Sequence, residues 1–375
     1  MLHLKLDYTF SATPVARNHL GNPLFEILAA IHRTGSISKT AQALELSYRH
    51  VWGALKNWEQ TLGAEIIVWE RGKRARLTPF GEKLLFAEQR AKARVLPQIE
   101  NLIADMEREF ALAFDRNAYV ISLFASHDLV LNRLRDFMAS DAKLHLDLQF
   151  RGSIDSLGAL ARGECLLAGF HISEDRARGT LTQQTFKKLL KPGKHKLITF
   201  LGRQQGLMVA AGNPKKIGGM GDLQRPGVRF INRETGSGTR LEIEQLLAAG
   251  KIDPATVNGF ERCEATHLAV AAAVASGHAD AGFGIRAAAM QFGLDFIPLM
   301  QEQYYLACLK ETLREPAIEK LLALLQSNSW RHIIDGLPGY DASNAGNIVS
   351  LTQVMPWYSF KAQKEIQKTG SITKK

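Results

Sequence analysis

Residues 35–58 read GSISKTAQALELSYRHVWGALKNW, and their periodicity predicts two short helices joined by a tight turn. Ser36 is suited to cap the first helix, because its hydroxyl can accept from a backbone N–H that has no partner within the helix. Ile37, Ala41 and Leu44 recur at helical spacing and give it one apolar face. Glu45-Leu46 makes the turn. Ser47 caps the second helix, which leads with Tyr48, Arg49 and His50 and buries Val51, Leu55 and Trp58. Polar groups in front and apolar groups behind let a helix lie in a major groove while a core holds it. Upstream, Asn22–Arg33 predicts a further helix with Leu24, Ile27, Leu28 and Ile31 on one side.

Two amphipathic helices with a short turn also occur in ordinary helical domains, so the flanking sequence decides. Residues 65–77, EIIVWERGKRARL, read as a strand, a basic tip and a returning strand, which is a wing. Between Arg33 and Arg94 there are 12 Lys/Arg and 6 Asp/Glu, a local net of +6 out of +10 for the chain. A solvated surface with no partner mixes the signs more evenly. The expected partner is double-stranded DNA, met by phosphate and base contacts. The candidate contacts are Ser36, Ser38, Lys39 and Thr40 on the first helix. Ser47, Tyr48, Arg49, His50 and Lys56 follow on the second, and Arg71, Lys73, Arg74 and Arg76 on the wing.

A chain of 375 residues with 46% hydrophobic content has room for two or three domains. No apolar run is long enough to cross a membrane, and the first ten residues carry Asp7 and no apolar signal core. Three widely spaced cysteines, Cys165, Cys263 and Cys308, form no CxxC pair, so no metal site is expected. These features lead to the expectation of a cytoplasmic protein with no membrane partner. After the wing, Thr78-Pro79 starts a helix that reaches about Phe114. Leu96, Ile99, Ile103, Met106 and Phe110 follow a 3-4-3-4 spacing, the seam of a two-helix coiled coil, so a homodimer is expected. Pro97 is expected to kink or interrupt that helix.

From Ala118 the pattern changes. AYVISLFA, LHLDLQF, CLLAGFHI, LMVAAG, VRFIN, ADAGFG and DFIPLM read as short buried strands. Helical stretches lie between them, and one last helix is expected over Glu315–Gly336. This alternation predicts parallel α/β sheets, and the span suits two lobes with a cleft. Residues 231–240, INRETGSGTR, follow the strand VRFI. A Gly-Ser-Gly-Thr turn opening a helix presents backbone N–H groups, the helix dipole and hydroxyls to an anion. Arg233 and Arg240 could close on that anion, beside Ser237, Gly238 and Thr239. Ser126 and His127 end one strand, Ser153 opens a helix after another, His171 lies at the end of CLLAGFHI, and His267 begins a helix. Ligands bind at the carboxyl ends of strands in such sheets, so these residues are candidates to converge. No nucleophile–base constellation is present, so no catalytic residue and no enzyme activity are expected.

LFEILAAIHRTGSISKTAQALELSYRHVWGALKNWEQTLG, the basic wing and LTPFGEKLL together resemble the N-terminal domain of the molybdate-responsive ModE-type regulators, relatives of the LysR-type regulators. The small oxyanion-binding barrel repeats of that family are missing. RGSIDSLGALARGECLLAGFHI and FINRETGSGTRLEIEQLL instead resemble a periplasmic-binding-protein-like domain. Arg233, Ser237, Gly238 and Thr239 match the RxxxSGT loop of tungstate- and molybdate-binding transport proteins, although FASHD replaces their Thr/Ser-rich first loop.

The resemblance implies a winged helix-turn-helix over 20–95, a linker and dimerisation helix over 96–116, a two-lobed α/β effector domain over 117–350 and a basic tail over 351–375. The implied function is a DNA-binding transcription regulator that senses molybdate or tungstate, with no covalent cofactor. The alternatives are a regulator sensing formate, sulfate or a carboxylate, and an enzyme of molybdenum-cofactor handling with an appended DNA-binding unit.

Overall fold

Three helices and a two-stranded ribbon build the N-terminal unit: α1 (Pro23–Thr34), α2 (Ile37–Ala43), α3 (Tyr48–Leu62), β1 (Ile67–Val68) and β2 (Arg76–Leu77). The computed structural model describes residues 21–69, 74–114, 119–138, 144–173 and 180–358. The caps read from the sequence are in place. Ser36 accepts from Lys39 N–H at 3.3 Å and Ser47 from His50 N–H at 3.1 Å. Glu45 holds the turn with φ 56, and Leu46 N–H closes it onto Ala41 O at 2.8 Å. Leu28, Ile31, Ile37, Val51, Leu55 and Ile66 form the core under these helices. The ribbon pairs antiparallel, Ile67 opposite Leu77; its tip, with Arg71 and Lys73, lies outside the described residues.

Helix α4 (Pro79–Phe114) follows, continuous through Pro97. The kink expected at that proline does not break the helix. The chain divides into two compact units within α4, between Ile99 and Glu100. Of the predicted seam, Leu96, Ile99, Ile103 and Met106 are half-buried and Phe110 is exposed.

The second unit is a sheet dressed with helices. Its first lobe holds three parallel strands, β3 (Tyr119–Ala125), β4 (Leu144–Phe150) and β5 (Leu167–Ser173), with α5 (Leu129–Met138), α6 (Ser153–Arg162) and α7 (Thr180–Leu189). Then β6 (His195–Val209) leads into the second lobe: β7 (Phe230–Arg233), α8 (Gly238–Ala249), β8 (Cys263–Glu264), α9 (His267–Ala275), β9 (Ala281–Ile285) and α10 (Arg286–Gln291). Strand β10 (Asp295–Leu309) returns, and α11 (Pro316–Gln326), α12 (Asn328–Asp335), β11 (Tyr340–Asp341), β12 (Ile348–Ser350) and α13 (Leu351–Val354) complete the first lobe. The strand order is β4-β3-β5-β10-β6-β9-β7-β8.

The sheet is not wholly parallel. Strands β6 and β10 are each 15 residues long, pair antiparallel to one another, and run through both lobes. Their neighbours change on the way: β10 pairs with β5 over Ala307–Glu302, while β6 pairs with β9 over Gln205–Val209. Sequence alternation detected only the ends LMV and DFIPLM, because polar triplets interrupt both strands where they pass between the lobes. The single helix expected over Glu315–Gly336 is two helices, since Ser327 adopts an extended conformation and caps α12 through Trp330 N–H at 3.2 Å. The basic tail cannot start at 351, because Leu351, Val354, Met355 and Tyr358 are buried in the first lobe's second core with Phe170 and Phe186.

The other face of the first lobe packs around Trp330, fully buried and stacked on Phe137 and Phe200 at 5.9 and 6.0 Å. Trp330→Ala should lower unfolding stability by roughly 3–5 kcal/mol, since the transferred area and the cavity both count. Urea unfolding of the full chain measures it, and a loss below about 1 kcal/mol would show that the site collapses freely.

Candidate functional site

Helix α3 presents Tyr48, Arg49 and His50 to solvent at its first turn, with Ser38 and Lys39 exposed on α2. Arg74 and Arg76 are exposed at the base of the wing. Other candidates are placed differently. Thr40 is fully buried and meets Thr34 Oγ1 at 3.1 Å, so it holds α2 to α1 and cannot face DNA. The Ser36 and Ser47 hydroxyls are occupied as caps. Lys56 is tied to Glu59 at 2.6 Å and lies over Trp52 at 4.9 Å. Among the described candidates, the exposed cations that no ion pair engages are therefore Lys39, Arg49, Arg74 and Arg76.

In the second unit the loop after β3 meets β6 and β10 where these two paired strands pass from one lobe to the other. Arg203 on β6 is ion-paired with both Asp128 and Glu302 and is fully buried. Burial opposes its charge, but the two carboxylates outweigh that and hold its pKa above the ordinary arginine value. Tyr340 donates to Asp128 at 3.1 Å, and Gln205 donates to Glu302 at 2.6 Å. Burial pushes the Glu302 carboxyl up, against the opposing pull of Arg203.

Around this network stand the residues read from the sequence. Ser126 and Ser153 share a hydrogen bond of 2.8 Å. Across from them, Gly236 takes φ 87, a left-handed turn that glycine tolerates without strain, and brings Ser237 to cap α8 by accepting from Arg240 N–H at 3.2 Å. Gly238 touches the His171 ring so closely that a Cβ there would lie 2.6 Å from Nε2. Thr239 Oγ1 lies 3.5 Å from that same nitrogen. A Cβ on Gly152 would stand 3.0 Å from Gly236 O, so the starts of α6 and α8 abut and the lobes are closed over the site.

Arg233 is the distinctive group. Nε donates to Glu264 O at 3.3 Å and Nη2 to Ala265 O at 2.7 Å, while buried Nη1 has no partner. No carboxylate among the described residues forms an ion pair with it, and burial lowers its pKa to about 10. His171 and His267 are buried and held well below the ordinary histidine value, first by burial and then by Arg203 and Arg233. Among the described residues, Nδ1 of each has no hydrogen-bond partner, nor do Arg203 Nη2, Glu302 Oε2 and Gln205 Oε1. A buried cation with no direct ion pair among the described residues, beside hydroxyls and an unpartnered N–H, is suited to receive an anion.

Two candidates point elsewhere. Arg240 lies over Phe260 at 4.1 Å and pairs with Glu244 at 2.7 Å, which fixes the flank of α8. The His127 ring lies tilted against Phe150 at 4.7 Å and faces Glu100 of α4 at 3.4 Å. The sequence reading missed Asp128, Arg203, Gln205 and Glu302. The available signal was two polar triplets, Arg203-Gln204-Gln205 and Gln301-Glu302-Gln303, each inside an apolar run.

This pairing of a helix-turn-helix with a two-lobed α/β domain defines a class, and the comparisons agree. Residues 22–82 match the family described as bacterial regulatory helix-turn-helix protein, lysR family. Residues 134–326, more than half of the chain, match the PBP superfamily domain, and the chain belongs to that superfamily. The chain thus carries a segment matching the lysR-family helix-turn-helix ahead of its PBP superfamily domain.

The chain is 35% identical over 201 residues to uncharacterized protein YvgK of Bacillus subtilis (strain 168), covering 54% of this chain and 64% of that protein. It therefore spans less than two thirds of that relative. It is also 39% identical over 72 residues to molybdenum-pterin-binding protein MopB of Rhodobacter capsulatus, 18% of this chain and 27% of that one. Among solved structures, CbnR, a LysR family transcriptional regulator, covers 79% of this chain and 96% of its own at 15% identity, with a TM-score of 0.37.

The buried neutral histidines set a pH dependence. The unfolded chain protonates His171 and His267 below about pH 6.5 while the folded chain does not, so stability falls as pH drops below that value. The expected slope is about 1.4 kcal/mol per pH unit for each histidine until its folded pKa is reached. Urea unfolding between pH 7 and 5 should show a shallower slope for His171→Asn than for the parent protein. Equal slopes would mean that His171 takes up a proton in the folded state.

Proposed function

We propose that this protein is a transcription regulator that binds double-stranded DNA as a homodimer in the cytoplasm. Its cleft senses a small oxyanion, molybdate or tungstate. The carrying observation is the buried guanidinium of Arg233, with Nη1 unpaired and no ion-pair partner among the described residues. An anion there would gain charge-assisted bonds from Arg233 and polar contacts from Ser126, Ser153, Thr239, His171 and His267, while the Ser237 hydroxyl, which donates to Glu234 O at 2.8 Å and caps α8, is committed to the turn. Such a ligand joins the lobes, and it shifts DNA binding only insofar as it binds one arrangement better than another. The likeness of RETGSGT to the tungstate- and molybdate-binding loop supports the choice of ligand, and MopB, by its name a molybdenum-pterin-binding protein, is a relative. The homodimer is proposed on the apolar face of α4, where Leu102 is 60% and Phe110 43% exposed. No enzymatic step is part of this reading.

A second reading has its own observation. Glu302 Oε2, 3.8 Å from His171 Nε2, and Gln205 Oε1 are buried acceptors with no hydrogen bond among the described residues. They favour an anion that carries an N–H or O–H, such as a protonated phosphate or an organic acid.

Thermal unfolding with molybdate, tungstate, sulfate, phosphate and formate separates these readings. A ligand at 100 times its Kd should stabilise the native chain by roughly 2.7 kcal/mol. Molybdate or tungstate is expected to raise the Tm, and Arg233→Gln to abolish the rise. A rise with phosphate alone would favour the second reading, and no rise with any of them would remove the oxyanion.

The DNA surface makes a separate prediction. If Arg49 reads a base edge, Arg49→Ala should cost about 1–3 kcal/mol on operator duplexes and much less on random DNA. Arg74→Ala should weaken both alike and reduce the salt slope by about one unit. Duplexes selected in vitro by the full-length protein, titrated by fluorescence anisotropy, provide the measurement. Equal losses for both variants on both DNAs would place Arg49 on phosphate.

A further inference from the structure

The ligand loops of the first lobe are fastened to α4. Asn101 brackets the end of β4: its Nδ2 donates to Phe150 O at 3.1 Å, and Phe150 N–H donates to its Oδ1 at 2.6 Å. One residue earlier, Glu100 is buried. It accepts from Asn132 Nδ2 at 2.9 Å, and its other oxygen faces His127 Nε2 at 3.4 Å. Farther along the same face, Asp105 accepts from Gln149 at 2.8 Å, and Arg108 reaches Asp147 at 3.0 Å. Positions 101, 105 and 108 lie on one side of a helix, so α4 is fixed along the edge strand by polar groups at successive turns.

The two fastened segments are the ones that carry the site's hydroxyls. His127 follows Ser126, and Phe150 precedes Arg151-Gly152-Ser153. Ala125 and Phe150 are opposite one another in the β3–β4 ladder, Arg151 N–H donates to Ala125 O at 2.9 Å, and the His127 and Phe150 rings touch. Asp128, next in the chain, is ion-paired with Arg203 of β6. Residues 126–128 thus face three ways, with Ser126 to the site, His127 to α4 and Asp128 to the strands that join the lobes.

We propose that Glu100 and Asn101 are positioning residues for the Ser126 and Ser153 loops, and that through them occupancy of the site is felt by α4. The ligand part of this rests on the oxyanion reading; the mechanical part rests on the contacts alone. Linkage makes the coupling reciprocal, so a change at the serines alters α4 and a change in α4 alters the serines.

Amide hydrogen exchange of the full-length protein tests it, with sodium molybdate as the probe. In the parent protein, molybdate should slow exchange at 126–128 and 150–153 and also at 100–108, by roughly threefold or more in local opening. Asn101→Ala should keep the response of the loops and lose that of 100–108. Without molybdate, Ser126→Ala should speed exchange at 100–108 by a similar factor, and add nothing when Asn101→Ala is already present. Should Asn101→Ala fail to fold, Glu100→Gln, which keeps the shape and the Asn132 bond, takes its place with the same expectation. Protection confined to the loops, or an undiminished response of 100–108 in the variant, overturns the proposal. If molybdate fails to bind, the oxyanion reading falls; the clamp is then decided by Ser126→Ala, and no effect of that change at 100–108 overturns it.

Discussion

Arg203 of β6, held between Asp128 and its register partner Glu302 of β10, is the interaction on which the second unit depends. The two strands join the lobes, and their polar midpoints would be costly to bury unless paired. Asp128 comes from the loop after β3, Arg203 from the outgoing strand and Glu302 from the returning one. The same three charges therefore fix the first ligand loop and align the two long strands. Removing Arg203 would leave two buried carboxylates uncompensated, which is worse than never having built the group.

Arg233 stands in deliberate contrast. Arg203 is neutralised inside the protein, whereas among the described residues Arg233 meets backbone carbonyls on two of its nitrogens and no partner on the third. The nearby histidines stay neutral and add no further charge to the cleft. One satisfied and one unsatisfied guanidinium, in a closed site lined with hydroxyls, make the second available for a ligand. The path outward runs through groups that are hydrogen-bonded rather than greased. Net contributions of such bonds are near 1 kcal/mol each, so the attachment of α4 can be re-weighted without unfolding the domain.

The helix-turn-helix was legible almost residue by residue. Its caps, its turn and its apolar face are local, and Ser36, Ser47, Val51 and Leu55 take the places their spacing requires. Thr40 was misread because a hydroxyl on a polar-looking turn of helix says nothing about which neighbour it meets. In the second unit, the ends of strands named Ser126, Ser153, His171, Arg233, Thr239 and His267, since strand-to-helix junctions show in sequence. Arg203 and Glu302 were hidden, because a charge in mid-strand looks like the end of a strand until its partner 99 residues away is in place.

The sequence by itself determined the order of the units, the recognition helix, the length of α4 and the Gly-Ser-Gly-Thr turn, all of which follow from periodicity and capping within a few residues. Only the tertiary structure decided that β6 and β10 run antiparallel through both lobes, that Arg240 and His127 turn away from the cleft, and that Glu100 and Asn101 grip its loops. Those outcomes depend on which long-range partner satisfies each buried polar group, and local spacing carries no record of that choice.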